Sequence, residues 1–450
     1  MQSIRTSRGR LALAGGLLGA MTLAGCSSGG GGDNDAADIP TQLKEKVKIS
    51  FWHVYQGADQ AGMDALIAEF EDQNPMIDVD AQFTGGFAEQ NQKITSGLQA
   101  GDPANVAITY PSFTIEYLSS KMVMNLSDYV GNDAVGLSDE EVNDLFEIQR
   151  DINRYEAADG DLMSFPFTAN VMVLYYNDDL LESAGIEEPP ATWNEFKEQC
   201  AIIKEELNLP CYSARGDGSS INAIVGSFGG EVIDAEGQPA IDTPAWEKML
   251  GTFEELQQAG YVEVAGGGAG QVTGPDLQSF VSQNAAFILG SSRNIGFFPD
   301  AIGDAFDWRA AAPPQEKATD KPVTVLYGPG VTGFKSGDAN EDLASWLLIK
   351  YLASAEAQSI WATSTGQLPV RESVAQSPEF QQELQDNPAT AVAFSLMGNT
   401  VWDGAIGPDG VIRGISSKER ELLASVMNTV LLGDMTVEQA MQQLQAGIGN

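Results

Sequence analysis

Few side chains in this sequence are suited to acid–base or metal chemistry. His53 is the only histidine among 450 residues, which excludes catalytic designs built on an imidazole base and zinc sites built from several histidines. The three cysteines, at positions 26, 200 and 211, match no metal-ligand spacing. Paired carboxylates are the equipment of glycosidases, but among 63 acidic residues a nearby pair carries no information. We therefore expect no metal and no cofactor.

The remaining candidates are suited to binding a small molecule. Trp52, His53 and Tyr55 cluster at the end of the first predicted strand. In open α/β sheets the carboxyl ends of strands form the ligand crevice, where aromatic rings stack on the apolar faces of sugars. Core packing explains this cluster equally well. Trp402, in a Gly/Asp-rich loop, is a stronger candidate, and Arg413 could receive an anionic ligand group or form a structural ion pair.

Predicted strands supply the frame for these candidates. Folded structure should begin near Lys46, and the pattern predicts the strands Val47–Trp52, Ile77–Phe83, Val106–Tyr110 and Val171–Tyr176. The last is an uninterrupted apolar run, which is typical of a strand buried on both faces.

Helical patterns separate these strands. Apolar residues from Met63 to Phe70 recur at helical spacing before Pro75, and a second helix through Ile94 and Leu98 should end at Gly101. Three capping boxes predict further helix starts, at Ser138/Glu141, Thr192/Glu195 and Thr436/Gln439. The alternation of strands and helices predicts βαβ units in an α/β fold.

One glycine motif has the spacing of a dinucleotide-binding loop. Gly328, Gly330 and Gly333 match GxGxxG after the predicted strand Val323–Tyr327. A dinucleotide site requires a helix to begin inside the motif, whereas two non-helical residues follow the last glycine. We interpret the segment as a turn at a strand end.

A tripeptide and two cysteines also stand out. Arg215-Gly216-Asp217 has the letters of an integrin motif, but three residues recur easily by chance, and we interpret them as a turn. Cys200 falls in a predicted helix and Cys211 begins the next strand. Both a disulfide and two buried thiols remain open for this pair.

The N-terminal segment has the order of a secretory signal. Three arginines precede an apolar run from Leu11 to Leu23, too short for a transmembrane helix, and small residues then lead into Cys26. The Leu-Ala-Gly-Cys ending resembles a bacterial lipoprotein signal, which implies cleavage before Cys26 and a lipid on its sulfur. The alternative is an ordinary signal with an incidental cysteine. We expect a signal peptide at 1–25 and a flexible tether at 26–45.

The composition is strongly acidic. The formal charge is −39 at pH 7, and removing a leader with three arginines and no acidic residue makes it −42. Nucleic acid is excluded as a partner because phosphate binding needs a basic face. Anionic lipid is repelled too, so we expect membrane contact through the lipid anchor alone, on the outer face of the bacterial cytoplasmic membrane.

Four segments together resemble one known family. They are Phe51-Trp52-His53 with the helix ending at Asn74-Pro75, Gly101-Asp102-Pro103-Ala104 leading to Tyr110, Phe165-Pro166-Phe167 leading to Tyr176-Asn177, and Thr365-Gly366-Gln367-Leu368-Pro369. Their order and spacing resemble the extracellular solute-binding proteins of ABC importers, the cluster that includes maltose-binding and glycerol-3-phosphate-binding proteins.

The resemblance implies a two-lobe periplasmic-binding-protein fold of type II. Each lobe should be a mainly parallel sheet flanked by helices, with the ligand in the interlobe cleft. We expect lobe 1 at 46–168 and 285–332, and lobe 2 at 171–284 and 333–450. Such a protein captures a small molecule, closes around it and presents it to an ABC permease without chemical change. We expect a monomer.

This sequence keeps only some of the ligand-binding residues of the glycerol-phosphate-binding type that it resembles. Phe87 stands in place of a tyrosine, Pro111 in place of a glutamate and Gln367 in place of the tyrosine of the TGYLP turn. Comparable groups are kept at Asn170, at Ser291 or Ser292, at Gly328 or Gly330, and at Arg413. His53 belongs to the shared Trp-His pair.

These differences rank the expected ligands. The changes at Phe87, Pro111 and Gln367 disfavour glycerol-3-phosphate itself. A sugar or oligosaccharide is the first expectation, with stacking faces from Trp52, Phe87 and Trp402, and a glycerophosphodiester is the second. A secreted carbohydrate-active enzyme and a surface adhesin are alternatives from other classes. The enzyme predicts a carboxylate pair in the cleft, and the adhesin predicts an exposed binding face without a hinge.

Overall fold

The computed structural model describes residues 39–234, 236–264, 274–319, 321–403 and 416–448, except for the side chains of Ala58 and Trp402. The predicted signal peptide, Cys26, the tether up to residue 38 and Arg413 lie outside the described residues.

Five of the described strands correspond to the strands predicted from the sequence. The described strands are β1 (Val47–His53), β2 (Ile77–Phe83), β3 (Val106–Thr109), β4 (Arg154–Tyr155), β5 (Asp161–Leu162), β6 (Phe165–Pro166), β7 (Asn170–Asn177), β8 (Tyr212–Ala214), β9 (Val262–Val264), β10 (Phe287–Ser291), β11 (Trp308–Ala311), β12 (Thr324–Tyr327), β13 (Gly330–Gly333) and β14 (Thr400–Trp402). The five that correspond to predicted strands are β1, β2, β3, β7 and β12. The predicted bounds of β2 are confirmed, and every residue of β7 is buried, as the apolar run predicts.

The predicted signals mark the start or end of five of the described helices. The described helices are α1 (Ala58–Gln73), α2 (Phe87–Ala100), α3 (Pro111–Tyr117), α4 (Leu126–Val130), α5 (Asp139–Asn143), α6 (Glu147–Asp151), α7 (Asp178–Ser183), α8 (Trp193–Leu207), α9 (Gly218–Ser227), α10 (Pro244–Gln258), α11 (Pro275–Val281), α12 (Phe298–Ile302), α13 (Ala339–Leu352), α14 (Ala355–Thr365), α15 (Glu372–Ala375), α16 (Pro378–Asp386), α17 (Pro388–Leu396), α18 (Ser417–Leu431) and α19 (Val437–Gly447). As predicted, α1 ends before Pro75 and α2 ends before Gly101. All three predicted capping boxes are confirmed, at the starts of α5, α8 and α19. None of the described helices is both long and apolar enough to span a membrane.

The first sheet has the strand order β2-β1-β3-β13-β6. β1 pairs in parallel with β2 and β3, and β13 runs antiparallel to β3 and β6. α13 packs on β1 and β13, and α14 packs on α1. These elements form lobe 1.

The second sheet has the order β14-β12-β7-β10-β8-β9, and β11 also pairs with β7. β7 is antiparallel to β10, β11 and β12, whereas β8 is parallel to β9 and β10. α9 and α18 pack on strands of this sheet, α10 and α19 pack on these helices, and together they form lobe 2. Both sheets are therefore mixed where mainly parallel sheets are expected, because strands that enter from the other lobe run against their neighbours.

Two adjacent segments cross between the lobes. Residues 167–169 connect β6 to β7, and residues 328–329 connect β12 to β13. Tyr327 pairs with Asn170 on one side of the crossing and Gly330 pairs with Pro166 on the other. The crossing segments thus run antiparallel, side by side.

The division of the later chain differs from the predicted boundaries. β10 and β12 belong to the second sheet, so residues 285–327 do not join lobe 1, and only β13 does. Likewise, α13 and α14 pack on lobe 1 although residues 333–450 are expected in lobe 2. The reason is that an apolar strand or helix has the same pattern whichever sheet covers it.

Candidate ligand-binding cleft

A cavity of about 410 Å³ lies where the two lobes face each other. Its lining includes residues at the carboxyl ends of strands in both sheets. Tyr55 and Tyr110 follow β1 and β3 of lobe 1, and Arg215, Ser291 and Tyr327 lie at the ends of β8, β10 and β12 of lobe 2. This is the edge at which open α/β sheets bind ligands.

Aromatic side chains form much of the lobe 1 wall. Phe87, at the start of α2, and Tyr110 lie with ring centroids 4.3 Å apart, and Phe113 of α3 lines the same side. Burial raises the pKa of Tyr110 to about 12, so its hydroxyl stays protonated at physiological pH. The Tyr55 hydroxyl is buried and has no hydrogen-bond partner among the described residues. These rings offer apolar faces with polar edges.

Arg420 of α18 is held in a polar network on the lobe 2 wall. Its Nη1 donates to Asp403 Oδ2 at 2.6 Å, and its Nη2 donates to the Ser219 hydroxyl at 3.0 Å. Ser219 and Asn222 of α9 also donate to the Asp403 carboxylate, each at 2.8 Å. Burial raises the pKa of Asp403, an effect that Arg420 opposes. The network fixes the guanidinium plane beside the cavity.

Arg215 is neutralised in the same way. Its Nε lies 3.4 Å from Asp217 Oδ2 and its Nη1 lies 3.1 Å from Asp276 Oδ1, with all three side chains largely buried. Asp217 also caps α9 by accepting the backbone N–H groups of Ser219 and Ser220. A third arginine of the lining, Arg293, is paired with Asp59.

Four of the predicted ligand residues line the cavity. They are Phe87, Asn170, Ser291 and Gln367. Ser292 lies behind Asn170, because its hydroxyl donates to Asn170 Oδ1 at 3.4 Å and accepts the Val171 N–H at 3.2 Å. The Trp402 side chain and Arg413 lie outside the described residues.

Trp52, Gly328 and Gly330 are not among the residues that line the cavity. The Trp52 ring faces Lys93, whose Nζ is 3.9 Å from the ring centroid. A Cβ on Gly328 would lie 1.9 Å from the Thr168 carbonyl oxygen, and one on Gly330 would lie 2.8 Å from Asn153 Oδ1. In the structure these glycines allow close approach of neighbouring segments at the crossing.

His53 is a buried residue of β1. It is 2% exposed, and its Nδ1 accepts the Tyr55 N–H at 3.3 Å, so it supports the turn that presents Tyr55 to the cavity. Burial lowers the pKa of His53 below its usual 6.5, and Asp64 opposes that shift.

This lowered pKa predicts a pH-dependent loss of stability. The folded state keeps His53 neutral while the unfolded state takes up a proton, so the free energy of unfolding should fall as the pH drops below about 6.5 toward the folded pKa. His53→Asn keeps an acceptor for the Tyr55 N–H but does not titrate. Urea unfolding of both proteins between about pH 5 and 8 should show a steeper acid-side loss in the unsubstituted protein. Equal pH dependence would contradict the assignment.

Several lining residues were not identified from the sequence. Arg215 and Asp217 follow β8 directly, so the strand-end argument applied to Tyr55 would have identified them, but a turn was the simpler interpretation. Arg293, Arg420 and their carboxylate partners carry no local signal, because the partners are distant in sequence. The described residues hold no cluster of histidine, cysteine or acidic side chains arranged for a metal ion.

Comparison with known proteins agrees with this architecture. The sn-glycerol-3-phosphate-binding periplasmic protein UgpB of Escherichia coli K12 is 22% identical over 368 residues, 78% of this chain and 80% of that protein. The GacH receptor of Streptomyces glaucescens, solved unliganded and with acarbose, has a TM-score of 0.75 at 22% identity, covering 89% of this chain and 96% of that one.

A second solved structure is equally similar. UgpB from Mycobacterium tuberculosis in complex with glycerophosphocholine has a TM-score of 0.75 at 18% identity, covering 89% of this chain and 97% of that one. These structures share the two-lobe fold of periplasmic binding proteins. Residues 56–359, more than half of the chain, match the family described as bacterial extracellular solute-binding protein. The chain therefore belongs to this family, the substrate-capture components of ABC importers.

Proposed function

We propose that this protein captures a neutral sugar or oligosaccharide in the interlobe cavity for an ABC importer. The carrying observation is the composition of the lining, in which aromatic rings stand beside three arginines that are each paired with a carboxylate. Such a surface is polar without being strongly cationic, which suits hydroxyl groups better than phosphates.

The chemistry of the lining matches sugar hydroxyls. An arginine–aspartate pair presents donors and acceptors side by side, and vicinal hydroxyls can donate to one group while accepting from the other. Phe87, Tyr110 and Phe113 supply faces for the apolar side of a sugar ring. The cavity of about 410 Å³ lies within the usual range for small-molecule sites.

A glycerophosphodiester is the second candidate. It is favoured by the three arginines and by the similarity to UgpB proteins, one of which was solved with glycerophosphocholine. The charge balance argues against it, because Arg215 and Arg420 already give donors to buried carboxylates. We further propose that the ligand undergoes no reaction in the cleft, in keeping with the binding proteins that this chain resembles.

The proposal extends to the location of the protein. We infer that residues 1–25 are removed, that Cys26 carries the lipid and that a monomer is held beside its permease on the outer face of the cytoplasmic membrane. Incorporation of labelled palmitate should be lost in Cys26→Ser, with the protein released from the membrane fraction. Retention of label in that variant would contradict the anchor.

Thermal unfolding with a ligand panel tests the binding proposal. Maltose, oligosaccharides, glycerol-3-phosphate and glycerophosphocholine are added to the purified protein, and a ligand at 100 times its dissociation constant should add about 2.7 kcal/mol of stability. Stabilisation by a neutral sugar supports the first proposal, and stabilisation by phosphate compounds alone supports the second. No response to any compound contradicts both.

A pair of phenylalanine variants places the binding site. Phe113 lines the cavity, whereas Phe83 lies at the end of β2 outside the lining and is 41% exposed. Phe113→Ala should weaken binding of the stabilising sugar roughly tenfold or more, since lost stacking and burial together exceed about 1.4 kcal/mol. Calorimetric titration of Phe83→Ala, the control, should give the unsubstituted affinity. Equal weakening in both variants would argue against this cavity.

A further inference from the structure

One ion pair at the cavity connects the two lobes. Asp59 lies in the first turn of α1 in lobe 1, and Arg293 follows β10 in lobe 2. Arg293 Nε donates to Asp59 Oδ2 at 2.6 Å, and Arg293 Nη2 lies 2.5 Å from the same oxygen. The carboxylates that neutralise Arg215 and Arg420 belong to the same lobe as their arginines. Among the described arginines that line the cavity, Arg293 alone is paired with a carboxylate of the other lobe.

The Asp59 carboxylate is held in place from a second direction. Its Oδ1 accepts Gln367 Nε2 at 3.1 Å, and Gln367 Oε1 accepts the Thr168 hydroxyl at 3.0 Å. Thr168 belongs to the crossing segment 167–169, so the carboxylate is tied to the connection between the lobes. Gln367 is 1% exposed, which leaves its amide little freedom to turn away.

Arg293 is paired with Asp59 and at the same time lines the cavity. The side chains of Arg293 and Asp59 are 14% and 13% exposed, and the guanidinium carbon lies 5.2 Å from the Tyr55 ring centroid. Within the described part of the chain the guanidinium group of Arg293 donates hydrogen bonds to Asp59 alone, and the Arg293 backbone N–H donates to the Ser291 hydroxyl. Tyr55 lines the same cavity, and its buried hydroxyl has no hydrogen-bond partner among the described residues.

Without its carboxylate, this guanidinium would be an anion site. A largely buried arginine that loses its partner is strongly destabilising as an uncompensated charge, and a phosphate with bidentate geometry would replace the lost partner. The neighbouring Tyr55 hydroxyl would add a donor. Asp59 therefore neutralises Arg293 in the way that a ligand phosphate otherwise would.

We propose that Asp59 is a specificity-determining residue, which excludes anionic ligands from the cavity by neutralising Arg293 across the cleft. The inference rests on the proposed function, since it explains why a cavity with three arginines would take a neutral ligand. It assigns to Asp59 a role in choosing the ligand class without direct contact with a neutral ligand.

Asp59→Asn tests this role with inorganic phosphate, glycerol-3-phosphate and maltose as probes. Isothermal titration should show a gain of at least about tenfold in phosphate affinity over the unsubstituted protein, reduced by added salt. Asp64→Asn removes the same charge from an exposed position of α1 and should leave the phosphate affinity unchanged. The double variant Asp59→Asn/Arg293→Gln should lose the phosphate gain.

The outcomes separate this inference from the proposed function. If the unsubstituted protein binds maltose and Asp59→Asn gains no phosphate affinity, the inference is wrong and the function stands. If no sugar binds but Asp59→Asn gains phosphate affinity that the double variant loses, the inference stands and the function is wrong. Asp59→Ser, whose shorter side chain removes the charge and in addition leaves space for the anion, is the second variant. Failure of both variants to fold even in saturating phosphate would overturn the inference, because an anion then cannot replace the carboxylate.

Discussion

Replacing Gly328 with alanine should cost more than about 4 kcal/mol of stability or prevent folding altogether. The new Cβ would lie 1.9 Å from the Thr168 carbonyl oxygen and 3.0 Å from its carbonyl carbon. Both are backbone atoms of the neighbouring crossing segment, so no side chain can rotate to relieve the clash. Separation of the two segments would disrupt the Tyr327–Asn170 pairing that flanks them.

The matched control is Gly251→Ala. Gly251 lies inside α10, and a Cβ there meets no atom within 4 Å. Alanine should stabilise this helix by about 0.5–1 kcal/mol, since glycine is the poorer helix former. Urea unfolding monitored by circular dichroism compares the two variants. A Gly328→Ala protein within about 1 kcal/mol of the unsubstituted protein would contradict the close crossing of the chain.

Removing the Cys200–Cys211 disulfide should destabilise the protein by about 3 kcal/mol, the loop-closure value for a bridge of this length. The bridge joins α8 to the residue before β8, with a sequence separation of 11 and Cα atoms 4.9 Å apart. Both cysteines are fully buried in the lobe 2 core. The exported location inferred from the N-terminal signal is one in which such bridges persist.

The measurement is chemical unfolding of the oxidised protein, the reduced protein and the double variant Cys200→Ala/Cys211→Ala. Reductant should lower the midpoint of the oxidised protein and leave the double variant unchanged. Because the bridge lies within one lobe, the affinity of the folded variant for its ligand should stay within about twofold of the original. An unchanged midpoint on reduction would mean that the bridge contributes nothing measurable.

The position of the cavity has a consequence for ligand-driven closure. Tyr55, Phe87 and Tyr110 belong to lobe 1, whereas Ser219 and Arg420 belong to lobe 2. A ligand drives closure only through contacts that differ between the open and closed states, and contacts to both lobes satisfy that condition. Arg420 lies 6.0 Å from the Tyr110 ring, so the two walls already meet beside the cavity.

Local features of this fold could be predicted from the amino-acid sequence because residues close together in the sequence determine them. Capping boxes at Ser138, Thr192 and Thr436 depend on residues three positions apart, and the apolar run of β7 reports burial directly. Short segments such as Phe51-Trp52-His53 identified the family, because they occur along the chain in the order that the family shows. The resemblance to the family also predicted Phe87, Asn170, Ser291 and Gln367 as ligand residues, and all four line the cavity.

The pairing between strands that are distant in sequence could not be predicted from the sequence. The lobe membership of β10 and β12 depends on antiparallel pairing with β7, and nothing within either strand specifies the partner. The tertiary structure also decides which residues at the end of β1 reach the cavity. Trp52 and His53, the first candidates for a ligand site, do not line it, whereas Tyr55 does.

The α/β class and the family were thus encoded in segments of a few residues, where hydrophobic period, capping and turn chemistry operate. The set of charged side chains that lines the cleft was not encoded in any such short segment. Arg293 meets a carboxylate 234 positions away, and Arg420 meets a serine 201 positions away. The Arg420 contact exists only after lobe 2 folds, and the Arg293 contact only after the two lobes face each other. The free energy of a buried charge depends on which partner the tertiary structure supplies.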